Sequence, residues 1–166
     1  MDDLLPIQNA EATQTLMQLL EDPAGYYNHI RRYSTAVILA SVFGQRGARF
    51  ESSKIQALYQ AQDQFTAILE PGATPPVDAF PILQLLPDFI CSWKARAREI
   101  RGLQRSLYFD LLNETKDRIG RGKHDSFMQR ILQGQEKDGF DDEHVAYLGG
   151  ILVRLYFMSG FRIHNC

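Results

Sequence analysis

Four histidines, two cysteines and one run of acids are the side chains in this 166-residue chain best suited to catalysis or metal binding. His29, His124, His144 and His164 lie far apart, and no pair has the helical spacing that sets two imidazoles side by side on a zinc ion. Cys91 sits among apolar neighbours and Cys166 is the last residue, so they read as a core thiol and an incidental one. Asp141, Asp142 and Glu143 make an acid cluster, but they open a helical pattern, where the positive end of the helix dipole already accounts for them. His29 and His144 fall on helical patterns too, where solvated or capping roles suffice. No glycine-rich phosphate loop, nucleophile elbow or metal-spaced cluster is present. That leaves a basic run, Lys94, Arg96, Arg98, Arg101 and Arg105 against Glu99 alone, which suits an acidic surface or a plain solvated helix face.

Composition narrows the classes further. Apolar residues make up 45% and charged residues 23%, close to the globular average, which argues against wholesale disorder. Lys and Arg total 18 against 20 Asp and Glu, so no global field drives the chain onto nucleic acid. Two cysteines give no disulfide framework and fit a reducing compartment. Residues 1–28 hold five acids and no base, unlike a secretory or transit signal. The apolar stretch 145–163 approaches bilayer length, yet Arg154 stands in its middle at a cost of about 2.5–3.5 kcal/mol, and three glycines weaken it further. Length alone allows one domain.

Helical signals carry the chain from end to end. Residues 9–20 place Thr13, Leu16, Met17 and Leu20 in an apolar stripe that Asp22-Pro23 should stop. A second helix is expected from Tyr26 to Phe43, apolar on every face from Ala36 onward and ended by Gly44. A third begins at Ser53 with Gln56 in capping-box spacing, bears Ile55, Leu58, Tyr59, Phe65 and Leu69, and ends at Pro71-Gly72. The stretch 71–88 then holds five of the seven prolines together with many apolar residues, too greasy for a linker. The longest helix should run from Ser92 to about Ile119, a short one from Ser126 to about Leu132, and a last one from the cap Asp141. No strand-like alternation or internal repeat appears, so the class is all-α.

Particular strings resemble a known family. Tyr26-Tyr27-Asn28-His29-Ile30-Arg31-Arg32-Tyr33-Ser34 running into Ala40-Ser41-Val42-Phe43-Gly44 is similar to the middle of fungal cytochrome P450 monooxygenases. So are Asp78-Ala79-Phe80-Pro81, Leu86-Pro87-Asp88-Phe89, Trp93-Lys94, and Asp142-Glu143-His144 leading to Tyr147-Leu148-Gly149-Gly150. Their order resembles family helices D, E, F, G, H and the opening of I, over residues 4–152. The resemblance implies a partial cytochrome P450 fold in residues 1–152, from a haem-thiolate monooxygenase that oxidises a lipophilic secondary metabolite. It also implies a haem iron cofactor, electrons from an NADPH–cytochrome P450 reductase, and no nucleic-acid partner. Residues 71–89 would roof the substrate pocket and dip towards the membrane, with Phe80, Leu83 and Phe89 facing substrate or lipid and Phe65, Leu69 and Ile90 near the access route.

The departures from the family pattern set a second expectation. The family's membrane anchor and its propionate-binding helix C would precede Met1. Its acid-Thr turn of helix I, its Glu-x-x-Arg helix and its cysteine-ligand loop are not found in these 166 residues. Cys166 falls four residues after Arg162 where the family has two, so it is not expected as the axial ligand. No catalytic, metal-binding or cofactor-binding residue is assigned. The chain by itself is expected to be inactive, its haem ligand lacking, and cytoplasmic or membrane-peripheral although the family works at the endoplasmic reticulum membrane. The alternative is a haem-free helical module that meets a membrane surface or a protein partner through 71–105. Residues 153–166 are read as a divergent tail, from intron read-through or a frameshift, since Val153 codons begin with the GT that opens most introns.

Overall fold

Pro23 and Gly44 bracket the helix on which the rest of the fold is assembled. A computed structural model describes residues 4–70, 72–77, 80–87, 91–122 and 126–161. Among these described residues six α-helices follow one another: α1 Leu5–Glu21, α2 Tyr26–Phe43, α3 Ser53–Leu69, α4 Ser92–Gly120, α5 Phe127–Asp138 and α6 Asp142–Phe161. Two short 3-10 turns, Pro23–Gly25 and Pro81–Leu85, complete the elements, and the described residues contain no strand. The all-α class and the bounds of α2 agree with the sequence reading.

α2 ends where its geometry demands glycine. Gly44 adopts φ 66°, a left-handed conformation that any Cβ strains, and its N–H bonds the Ala40 carbonyl at 3.0 Å. Ala36, Leu39 and Phe43 are fully buried, because α1, α5 and α6 pack on α2 from different sides. α4 closes the other flank, packing on α3, α5 and α6. The core between them is one cluster, with Leu39 and Phe43 from α2, Ile55 and Leu58 from α3, Leu111 and Leu112 from α4, Met128 from α5 and Val145 from α6.

Two glycines let α6 enter that core. A Cβ on Gly149 would lie 2.6 Å from Phe43 Cζ, and one on Gly150 would lie 2.5 Å from the Tyr108 ring. The helix runs unbroken past Leu152, and Val153 is buried in the same cluster. A side-chain network also pins the 44–52 connection to α4. Gln45, wholly buried, donates to the Leu111 carbonyl at 2.8 Å and accepts from Lys54 Nζ at 2.8 Å, while Lys54 pairs with Glu114. Thr115 Oγ1 lies within hydrogen-bond reach of the Phe43 carbonyl at 3.1 Å.

α1 departs from expectation in what it turns inward. Its buried residues are Glu11 and Thr15, while Leu16, Met17 and Leu20 stand in solvent. The reason is Arg32, a wholly buried cation on α2. Its Nη1 donates to Glu11 Oε2 at 2.6 Å and to the Gly47 carbonyl at 3.2 Å, and its Nη2 donates to Thr15 Oγ1 at 2.7 Å. Arg46 adds a second contact to Glu11, Nε to Oε1 at 2.9 Å. A buried charge must be paired, so the polar face of α1 is drawn to Arg32 and its apolar stripe is turned out.

Smaller differences have local causes. Gln56 does not close a capping box. Ser52 is the N-cap of α3 without a side-chain bond, and Gln56 Nε2 donates to the Phe50 carbonyl at 2.8 Å. α5 continues to Asp138, past the expected end near Leu132, because Gln133 to Lys137 are mostly good helix formers and the left-handed Gly139 ends it. At the start of α6, Asp141 Oδ1 accepts from the His144 backbone N–H at 2.8 Å, as the cap expectation required. That bond and the His144 side chain hold the Asp141 carboxyl below its ordinary range. Hydrogen bonds from Gln135 and Lys116 do the same for Asp142, which ties the first turn of α6 to α4 and α5.

Candidate functional site

Of the six residues expected along a substrate route, four are among the described residues. Phe65 is half-buried on α3, where the Arg154 guanidinium lies 3.6 Å above its ring. Leu69 is one turn further on, exposed at the end of the helix. Phe80 and Leu83 share the 3-10 turn, joined by a bond from Leu83 N–H to the Phe80 carbonyl at 3.0 Å. Phe80 is exposed and Leu83 half-buried. Phe89 and Ile90 lie outside the described residues.

Beside Arg154 the structure assembles a small cleft between α3, α4 and α6. Leu58, Gln62, Tyr108, Gly150 and Arg154 line it, with room for about 10 Å³, which is one water and far from a small-molecule pocket. Arg154 Nη2 donates to the Tyr108 hydroxyl at 3.1 Å. Burial pushes the Tyr108 phenol upward, and the Arg154 charge opposes that shift. Tyr108 is further fixed by Tyr147, edge-on with ring centroids 5.6 Å apart. Read from sequence, Arg154 is only an obstacle to membrane insertion; its stacking on Phe65 needs a residue separation of 89 that no local pattern encodes.

The 3-10 turn carries exposed apolar side chains. Ile82 and Leu85 (82% exposed) project from it, flanked by the exposed Leu86. Its proline-rich sequence removes backbone donors and stops a regular helix from forming, which leaves the apolar side chains standing off the bundle. Lys94 Nζ donates to the Leu86 carbonyl at 2.7 Å and so fixes the turn beside the first turn of α4. Along that helix Arg96, Arg98, Arg101 and Arg105 are exposed, as a solvated or surface-binding face requires. Arg105 stacks on Phe109 at 4.5 Å and approaches Glu143 at 3.5 Å. The grease and the positive charge are therefore adjacent.

The described candidate thiol and imidazole side chains have local structural placements. Cys91 is 2% exposed, directly ahead of α4, and the cleft does not reach it. His29 bonds the Asp22 carbonyl at 2.9 Å and His144 bonds Asp141 at 2.7 Å, so both serve helix corners. Among the described residues no group of three or more His, Cys, Asp or Glu is placed to hold a metal ion. Cys166, His124 and His164 lie outside the described residues.

Comparison with known proteins gives these positions their context. The chain is 38% identical over 149 residues to cytochrome P450 monooxygenase atE of Aspergillus terreus, covering 89% of this chain and 28% of that protein. It is 37% identical over 151 residues to cytochrome P450 monooxygenase acuC of Aspergillus aculeatus, again covering 28% of the relative. A cytochrome P450 monooxygenase of Arthrobotrys oligospora is 33% identical over 153 residues. No family model matches the chain, and no solved structure matches it. The chain spans 28% of the length of the curated relatives it matches. Haem is the cofactor such relatives imply; among the described residues Cys91 is 2% exposed, and the cleft beside Arg154 has room for about 10 Å³. At 33–38% identity over 89% of its residues, the chain matches a segment of fungal cytochrome P450 monooxygenases.

Proposed function

We propose that this segment serves a haem-thiolate monooxygenase that takes electrons from an NADPH-dependent reductase and oxidises a lipophilic secondary metabolite. The similarity to proteins named as monooxygenases, across 89% of the chain, carries the reading. Iron supplies oxygen activation in such enzymes, with a thiolate favouring O–O cleavage. The residues here do other work. α2, α4 and α6 form a rigid helical scaffold, and the turn 81–85 with Phe80 offers an apolar surface for an access route. Phe65 and Leu69 at the end of α3 extend that route, with Phe89 and Ile90 proposed beside it.

By itself the 166-residue polypeptide is proposed to be inactive, because its described cysteine is sealed in the core. Reconstitution with haem, reduction and exposure to carbon monoxide tests this. The expected difference spectrum has no thiolate-type Soret band, and a stable band of that kind would overturn the proposal.

The bond from Lys94 to Leu86 favours a second reading, since it sets exposed grease beside a basic helix face, the pairing that suits an anionic membrane surface. Among the described residues no helix is long and apolar enough to cross a membrane. On this reading residues 71–105 lie on the surface of the endoplasmic reticulum membrane or on a protein partner. Saturable binding to anionic liposomes, together with a blank carbon monoxide spectrum, would favour it.

Residues 153–166 are proposed as a divergent tail from intron read-through or a frameshift, even though α6 continues through Val153. Transcript reads across the Leu152–Val153 junction should show an unspliced boundary. Spliced reads that encode the tail from a separate exon would sink the idea.

A further inference from the structure

Arg154 stands where α6 meets the far end of α3, and the activity above gives it no task. Its guanidinium covers the Phe65 ring, 3.6 Å from the centroid, and also lines the cleft beside Leu58, Leu107, Tyr108 and Val153. Nη2 donates to the Tyr108 hydroxyl at 3.1 Å, while Nε is buried with no hydrogen-bond partner among the described residues. Burial keeps the Tyr108 phenol above its ordinary range, so it meets the guanidinium as a neutral acceptor. Arg32, by contrast, reaches a carboxylate, Glu11, from its buried position. A half-buried cation held by a ring face and a neutral oxygen, with one donor unmet, gains little net stability. Such a contact can separate.

We propose that the Phe65 ring and the Tyr108 hydroxyl form a binding site for a flat ring bearing a hydrogen-bond donor, and that Arg154 is the latch that fills it. The proposal rests on the access route placed above at Phe65 and Leu69. The shape of the occupant names the ligand. A guanidinium is planar with N–H donors at its rim, and here it stacks on Phe65 while donating to Tyr108 Oη. Leu58, Ala61, Leu107 and Val153 add apolar wall, and none of the residues lining the cleft is acidic. A lipophilic ring suits those walls better than a free cation does. With the latch in place about 10 Å³ remains, room for one water, so the end of the route is shut. Arg154 lies in the stretch 153–166 proposed above to diverge from the family pattern, so the latch is this chain's own.

Phenol, a flat ring with one O–H donor, and cyclohexanol, its puckered counterpart, supply the test. Each is titrated into the full 166-residue chain and its variants, and binding is read by saturation-transfer NMR. Arg154→Ala should keep its helical circular dichroism and bind phenol about tenfold more tightly than the parent chain, the ratio one ring-stacking contact supplies. Cyclohexanol should gain nothing, and Arg154→Ala/Phe65→Leu should lose the gain for phenol. Urea midpoints of Arg154→Met, Phe65→Leu and their combination should be non-additive, because both changes remove the same contact. Equal phenol affinity in the parent and Arg154→Ala overturns the proposal. So does an equal gain for cyclohexanol, a gain that survives loss of the Phe65 ring, or additive midpoints. Unfolding of Arg154→Ala overturns it too, since a separable latch is not required by the fold. A thiolate-type Soret band from the isolated chain would sink the functional reading and leave the phenol comparison untouched, whereas unchanged phenol affinity would sink this proposal alone.

Discussion

Arg32→Ala should destabilise the fold by about 3–5 kcal/mol, the range for breaking a buried ion pair from one side. Arg32 is 0% exposed and Glu11 2%, so the variant leaves a carboxylate buried with Arg46 as its remaining cation. The exposed Arg46 side chain cannot replace a fork that also holds Thr15 Oγ1 and the Gly47 carbonyl. Replacing both partners, Glu11→Leu with Arg32→Met, should cost much less than the single change, because desolvation of two charges disappears with them. Urea denaturation followed by circular dichroism reads both. Amide exchange should show α1 released first in the single variant, since this cluster is what fastens its polar face to α2. A loss below about 1 kcal/mol in Arg32→Ala, or a double variant as damaged as the single one, would show that the cluster does not anchor the helix.

Gly150→Ala should also destabilise, by about 1–3 kcal/mol, against the usual helical preference for alanine. The new methyl would lie 2.5 Å from Tyr108 Cε2 and Cζ, and that ring has nowhere to go. Tyr147 meets it edge-on and Arg154 holds its hydroxyl. Gly102 gives the opposite sign. It lies exposed within α4, and a methyl added there would meet no heavy atom within 4 Å. Gly102→Ala should therefore stabilise by about 0.5–1 kcal/mol. Urea midpoints of the two variants move apart. A shift of both in the same direction would mean that α6 does not approach α4 as closely as the structure has it.

Helix existence was largely legible in the sequence, since proline, glycine and apolar spacing act locally. The bounds of α2, Tyr26 and Phe43 before Gly44, were legible to the residue, whereas α5 runs to Asp138, past the expected end near Leu132. The facing of α1 was not legible. Its apolar stripe reads as the inward side until Arg32, 21 positions from Glu11, is known to be buried against it. The same holds for Gln45, whose partners Leu111 and Thr115 are 66 and 70 positions away. At the candidate site, the apolar character of Phe80, Leu83 and Leu69 could be read directly from their types. The stacking of Arg154 on Phe65 and the closeness of α4 to the 3-10 turn depend on tertiary packing, which no short window records. The match to the family was legible because it resides in strings, such as the one from Tyr26 to Gly44, that survive without any catalytic motif.

The carbon monoxide difference spectrum of two reduced, haem-supplied samples tests the central claim most directly. One is the 166-residue chain. The other is the Aspergillus terreus monooxygenase with its 149 aligned residues replaced by their counterparts from this chain. A segment of that family should give a thiolate-type Soret band in the chimera and none in the isolated chain. A folded, monomeric chimera without the band, or a band from the isolated chain, would contradict the account.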